Sequence, residues 1–228
     1  MKNQKTGKSM TNKFRGIKHI CFDLDGTLVK SHITIYKTTI KALVDLKIPT
    51  ENLKENLFYE RIGHHFEDIF EEMKVPVTDF ETFINIYKNQ YFDFISESTL
   101  YDGINEMFDY LKSKNILTSL LTTKGQEQAD KIIDHFGLRK YFDVVSGRKP
   151  GVANKPSAEP LLLICKELNV KPEDTIMVGD TELDIQCGKN ANAKTIALLH
   201  GYRTKKALEE QEPDKIIENF SELKNLDF

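Results

Sequence analysis

Short apolar runs and amphipathic helical patterns alternate along most of the chain. Residues 17–23 form an apolar, β-compatible run that ends in carboxylates and a glycine. Four similar runs follow, at residues 116–122, 142–146, 175–179 and 194–199. Between them, Ile104, Met107, Phe108 and Leu111 recur at the spacing of one buried helix face. Ala129, Ile132, Ile133 and Phe136 do the same, with Gly137 placed to end the helix. Residues 161–168 make a third helix, opened by Pro160. Near-continuous apolar strands alternating with such helices predict an α/β fold, with a mostly parallel sheet flanked by helices on both faces.

Residues 31–98 break this rhythm and read as helix after helix. The pattern predicts helices over 33–46, 55–58, 66–73 and 78–95. Phe80, Phe83, Ile84, Tyr87, Tyr91 and Phe94 share one broad face of the last, which suits a helical-bundle core better than a ligand stack. The chain therefore divides into a basic, flexible tail (1–16), a core made of 17–31 and 98–228, and an inserted all-helical cap (32–97).

Composition narrows the class. The chain has 228 residues, 39% hydrophobic and 29% charged, enough to bury a core. No apolar run approaches the roughly 20 residues of a membrane span. The formal net charge of -3 gives no sign of a nucleic-acid partner. Three scattered cysteines, Cys21, Cys165 and Cys187, have neither disulfide nor metal-site spacing and read as buried thiols in a reducing compartment, hence a cytoplasmic location. The lysine-rich tail lacks the apolar stretch of a secretory signal.

Ligands of an open parallel sheet bind beyond the carboxyl ends of its strands. Asp23-Leu24-Asp25-Gly26-Thr27-Leu28 follows the first run, Thr122-Thr123-Lys124 closes the second, and Gly179-Asp180-Thr181-Glu182-Leu183-Asp184 follows the fourth. Lys155-Pro156 precedes a helix. Clustered carboxylates repel one another unless a cation joins them, and hard oxygen ligands suit Mg²⁺ together with a phosphate. Lys155 would neutralise phosphate charge, with Thr122 and its neighbour Thr123 at the phosphate oxygens. Asp23 is placed to attack phosphorus as a nucleophile, and Asp25 to protonate the leaving oxygen and later activate water.

These four segments, in this order, resemble the haloacid dehalogenase-like superfamily of phosphotransferases. The resemblance implies a Rossmann-like core with a cap of the kind inserted between the first and second motifs. It implies Asp23 as nucleophile and metal ligand, Asp25 as acid/base and metal ligand through its carbonyl, and Asp180 as a further Mg²⁺ ligand. Asp184 would act through water or by orienting Lys155, while Thr122 and Lys155 bind phosphate. Asp25 disfavours the dehalogenase branch, which lacks it. Leu100-Tyr101-Asp102-Gly103, Phe136-Gly137-Leu138 and Gly201-Tyr202 look like the phosphoglycolate phosphatase group. In the cap, Arg61-Ile62-Gly63-His64-His65 resembles a substrate-facing glycine turn, which makes Arg61, Gly63 and His64 specificity candidates. Two positions depart from the relatives: Lys30, where Asp is frequent, and Thr123, where Asn is common. The expected activity is hydrolysis of a small phosphorylated metabolite, phosphoglycolate phosphatase-like, by a monomer or homodimer. The alternatives are a β-phosphoglucomutase-like phosphomutase, an inorganic pyrophosphatase and a non-catalytic binding module.

Overall fold

The computed structural model describes residues 13–226 and 228. In chain order the elements are β1 (His19–Phe22), β2 (Val29–Lys30), α1 (His32–Asp45), α2 (Glu55–Tyr59), α3 (Phe66–Glu72), α4 (Phe80–Gln90), β3 (Thr99–Leu100) and α5 (Ile104–Ser113). They continue with β4 (Leu117–Gly125), α6 (Gln126–His135), β5 (Val144–Arg148), α7 (Glu159–Glu167), β6 (Thr175–Gly179), α8 (Glu182–Asn190), β7 (Lys194–Leu198), α9 (Lys205–Glu209) and β8 (Lys215–Ile217). Six strands form one parallel sheet in the order β5-β4-β1-β6-β7-β8. β1 lies at its centre, with every residue buried, because both faces are covered. Phe22 sits at its end, edge-on to Phe108 of α5 and to Phe220. The fold is the α/β architecture expected from the alternation.

The helical segment leaves and re-enters the core through one small device. β2 and β3 pair antiparallel, Val29 with Leu100 and Lys30 with Thr99. α1 to α4 lie between these two strands and pack around Phe58, Phe70, Phe83, Tyr87 and Tyr91. Phe83, Tyr87 and Tyr91 of the aromatic stripe are core, as the spacing implied, whereas Phe80, Ile84 and Phe94 are half-buried and Ile84 borders the cleft between cap and core.

Several boundaries differ from the sequence reading. The long fourth helix ends at Gln90 and continues as a 3₁₀ helix over Tyr91–Glu97. There the Phe94 carbonyl accepts a hydrogen bond from Thr34 Oγ1 of α1 at 3.0 Å, a tertiary demand that helix propensity does not encode. Its start is moved by Asp79, whose side chain caps Thr82 N at 3.0 Å. β5 begins two residues later than expected, and β4 runs on to Gly125 through an irregularity after Leu121. The three-residue β8 carries too little pattern to be recognised. Most of the expected tail lies outside the described residues, but its end is not loose. Phe14 is buried against the core and Lys13 pairs with Asp214 at 2.6 Å, so the apolar Phe14 anchors the entry to β1.

His19 on β1 is fully buried, with Nδ1 3.2 Å from Thr175 Oγ1 and Nε2 2.8 Å from Ser119 Oγ. Burial lowers its pKa to about 4. The unfolded chain takes up that proton near pH 6.5 while the native one does not, so stability present at pH 7 is lost as pH falls from 6.5 toward 4. We expect His19 to account for a loss of about 2 kcal/mol between pH 7 and pH 5. Urea midpoints of wild type and His19→Gln at both pH values check this; parallel pH slopes for the two proteins would refute it.

Candidate active site

The chain leaves β1 at Asp23, whose backbone N–H still donates to the Val178 carbonyl at 2.9 Å. It then turns sharply, with Gly26 N bonded to the Val29 carbonyl. Gly26 has φ +83, and a Cβ there would collide with the Asp180 carboxylate, so no other residue fits. Asp180 follows β6 and is fully buried, accepting from Thr27 Oγ1 at 3.0 Å and from Tyr202 N at 2.8 Å. Asp184, in the first turn of α8, accepts from Thr181 N at 3.0 Å and Thr181 Oγ1 at 2.6 Å, fixing the helix entry beneath the site.

Lys155 joins these parts. Its Nζ donates to Asp23 Oδ1 at 2.5 Å, to Asp184 Oδ1 at 2.5 Å and to the Leu121 carbonyl at 3.1 Å. Burial alone would lower the ammonium, but the Asp184 and Asp23 carboxylates overturn that and raise its pKa. Burial pushes the Asp23 carboxyl up against the pull of Lys155, and Asp184, Asp180 and Asp25 add to the rise. Asp180 is pushed up to about 7 by burial and by Asp184.

Oxygens of Asp23, Asp180 and Asp184 all lie within 4.8 Å of one another. Three buried carboxylates thus face a single buried ammonium. That donor set, all hard oxygen with negative charge in excess, fits a divalent cation. Asp25 is held separately, by Ser31 Oγ at 2.5 Å and Lys124 Nζ at 3.1 Å. Lys124 itself lies over the Tyr91 ring.

Asp23, Asp25, Thr123, Lys155, Thr181 and Gly63 line one small pocket. Thr122 is buried beside it, with Oγ1 accepting from Lys124 N at 3.2 Å, and lines a neighbouring cleft with Thr123 and Lys155. Gly63 brings the cap turn onto the start of α8, where a Cβ would lie 3.6 Å from Thr181. His64 Nε2 meets Glu182 Oε1 at 2.7 Å, and Arg203 binds the same carboxylate at 2.7 and 3.1 Å while donating to the Ile62 carbonyl. Burial by itself would raise Glu182, but the hydrogen bonds from His64 and Arg203 hold it below the usual range. His64 therefore bridges cap and core.

Arg61 is the one specificity candidate placed elsewhere. It pairs with Glu72 at 2.6 Å and lines none of these pockets. An acid one helix away satisfies it more cheaply than an unpaired reach into the cleft would. Ser31, Tyr202, Glu182 and Arg203 were missed as site residues. Glu182 lies within the Gly179–Asp184 segment and Ser31 six residues from Asp25, which were local signals, whereas Tyr202 and Arg203 meet the site only through tertiary contacts.

A family model described as haloacid dehalogenase-like hydrolase matches residues 20–198. A Clostridium perfringens protein named as a pyrophosphatase is 31% identical over 214 residues, covering 92% of this chain and 97% of its own. The phosphoglycolate phosphatase of Escherichia coli K12 is 26% identical over 236 residues, covering 93% of both chains. Among solved structures, a protein of Haemophilus somnus 129PT, named a predicted phosphoglycolate phosphatase, aligns with a TM-score of 0.79 at 26% identity, covering 92% of this chain and 97% of its own.

Removing Lys155 leaves Asp23 and Asp184 buried without their counter-charge. Lys155→Met, measured in EDTA, should lose about 3–5 kcal/mol of stability, and adding Asp184→Asn should restore part of it. A Lys155→Met protein with a wild-type urea midpoint would show that the ammonium does not balance these carboxylates.

Proposed function

Because the chain belongs to the haloacid dehalogenase-like hydrolase family, we propose that it is a magnesium-dependent phosphatase of a small phosphorylated metabolite, phosphoglycolate phosphatase-like, working through an aspartyl-phosphate. The observation that carries this reading is the meeting of Asp23, Asp25, Thr123 and Lys155 in one pocket beneath the cap turn. Mg²⁺ held by the Asp23 and Asp180 carboxylates and the Asp25 carbonyl would offset negative charge on the phosphoryl group.

The residues then divide the work. Lys155 fixes one Asp23 oxygen, leaving the other to attack phosphorus. Asp25, oriented by Ser31 and Lys124, gives its proton to the leaving oxygen and then takes one from the water that hydrolyses the acyl phosphate. Thr122, Thr123 and Lys155 offer donors to the phosphoryl oxygens, and Asp184 keeps Lys155 in place. The cap turn at Gly63 closes over this pocket and limits water entry. Three buried free thiols support a cytoplasmic location. Among the described residues no helix is long and apolar enough to cross a membrane. A pyrophosphatase is the second reading, favoured by the Clostridium perfringens relative.

Phosphate release from 2-phosphoglycolate, pyrophosphate, nucleoside monophosphates and hexose phosphates tests the proposal. We expect turnover with Mg²⁺, none with EDTA and none for Asp23→Asn. Asp25→Asn should lose about 10²-fold or more in turnover of alkyl phosphates, while the pre-steady-state burst of p-nitrophenol, which reports transfer to Asp23 from a leaving group that needs no proton, should slow much less. Undiminished release by Asp23→Asn would sink the nucleophile assignment.

A further inference from the structure

Beyond the small pocket, the space between cap and core widens into a cleft of about 840 Å³, counted out to its open mouth. The cap contributes Ile35, Phe58, Ile62, Ile69 and Ile84, together with the polar His64, His65 and Glu67. Lys88 from α4 of the cap, with Gln128 and Arg148 from the core, lines the part near the start of α6.

Gln128, in the first turn of α6, is 8% exposed, and its Nε2 is buried with no hydrogen-bond partner among the described residues. A buried amide without a partner is costly and calls for an explanation. Lys88 reaches from α4 of the cap across the same helix start. A Cβ at Gly125 would stand 3.9 Å from its Nζ, and Gly125 is the register partner of Arg148 across β4 and β5. Neither Lys88 nor Arg148 enters an ion pair among the described residues, and the adjacent Glu127 is taken by Lys131. Two unpaired cations, an unpartnered amide and the positive end of a ten-residue helix thus converge on one spot. Asp25 lines the same cleft, so that spot opens onto the space a leaving group would occupy.

We propose that Lys88, Gln128 and Arg148 form a second anion-binding subsite that reads the far end of the leaving group. The substrate is then an organic phosphate whose leaving group has an apolar stretch against the cap wall and ends in an anion, a carboxylate or a second phosphate. This rests on the phosphatase reading and sharpens it. Pyrophosphate has no apolar body to cover the wall and is disfavoured.

The test uses non-hydrolysable alkylphosphonates of two to five carbons, ended by methyl, carboxylate or a second phosphonate. Their affinities in Mg²⁺ are measured by calorimetry on the full chain. Anion-ended compounds should bind at least about tenfold tighter than methyl-ended ones of equal length. Lys88→Met with Arg148→Met, and Gln128→Leu separately, should each drive that ratio toward one. The better of the two anionic ends identifies the source of the charge. If all three ends bind alike, the subsite is refuted while the phosphatase reading stands. If no phosphonate binds and no phosphate ester is hydrolysed, both fall together.

Discussion

The Lys155 ammonium is buried between Asp23 and Asp184, 2.5 Å from an oxygen of each, with its third hydrogen bond to the Leu121 carbonyl. A charge so placed is tolerated only when every donor is used and opposite charge surrounds it. That requirement fixes three chain segments at once. β1 must end where Asp23 can reach the ammonium, β4 must present a carbonyl, and α8 must start where Asp184 faces inward. The relative heights of β1, β4 and β6 satisfy it, because their parallel registers align Phe22 with Leu120 and with Val178.

Close packing of backbone against the other carboxylate completes the frame. A Cβ at either Gly26 or Gly201 would collide with Asp180, and one at Gly179 with Asp184. The two carboxylates are thus caged by bare backbone, which leaves them few ways to turn and brings N–H donors such as that of Tyr202 close. Tyr202 also accepts from Ser31 N at 2.9 Å, and Ser31 in turn holds Asp25. One loop therefore steadies both the buried Asp180 and the more accessible Asp25. The two aspartates are held differently, Asp180 by the neutral donors Thr27 Oγ1 and Tyr202 N and Asp25 by Ser31 Oγ and the Lys124 ammonium.

How much of this was legible from the residues depends on the range over which each constraint acts. Asp23, Asp25 and Gly26 sit within one turn, and Asp180, Thr181 and Asp184 within another, so their chemistry is written in local spacing. The strands that carry them announce themselves as apolar runs. Lys155 was readable as a lysine ahead of a helix that could meet phosphate, but not its carboxylate partners, which lie 132 and 29 residues away. Arg203 and Tyr202 act through contacts no local pattern encodes. Arg61 illustrates the opposite hazard. Its neighbourhood beside Gly63 and His64 looks suited to an anion, yet Glu72 claims it. The same turn does reach the core, through His64 and the Ile62 carbonyl, both bound to the Glu182–Arg203 pair.

The site consequently has two regimes. At the phosphoryl end, buried charges and caged carboxylates leave little latitude, and the residues there belong to the core. At the leaving-group end, the boundary is shared with the cap, whose contacts with the core include the hydrogen bond between His64 and Glu182 and the reach of Lys88 over Gly125. A reaction centre held by the core, with the cap supplying the opposite wall, lets the reaction stay constant while the accepted leaving group is set by a few cap and α6 side chains. Among the described residues, one buried polar atom left without a partner, Gln128 Nε2, lies on that second boundary. Specificity is therefore to be sought where hydrogen-bonding capacity remains unspent, because only there does a ligand gain a bond without breaking one.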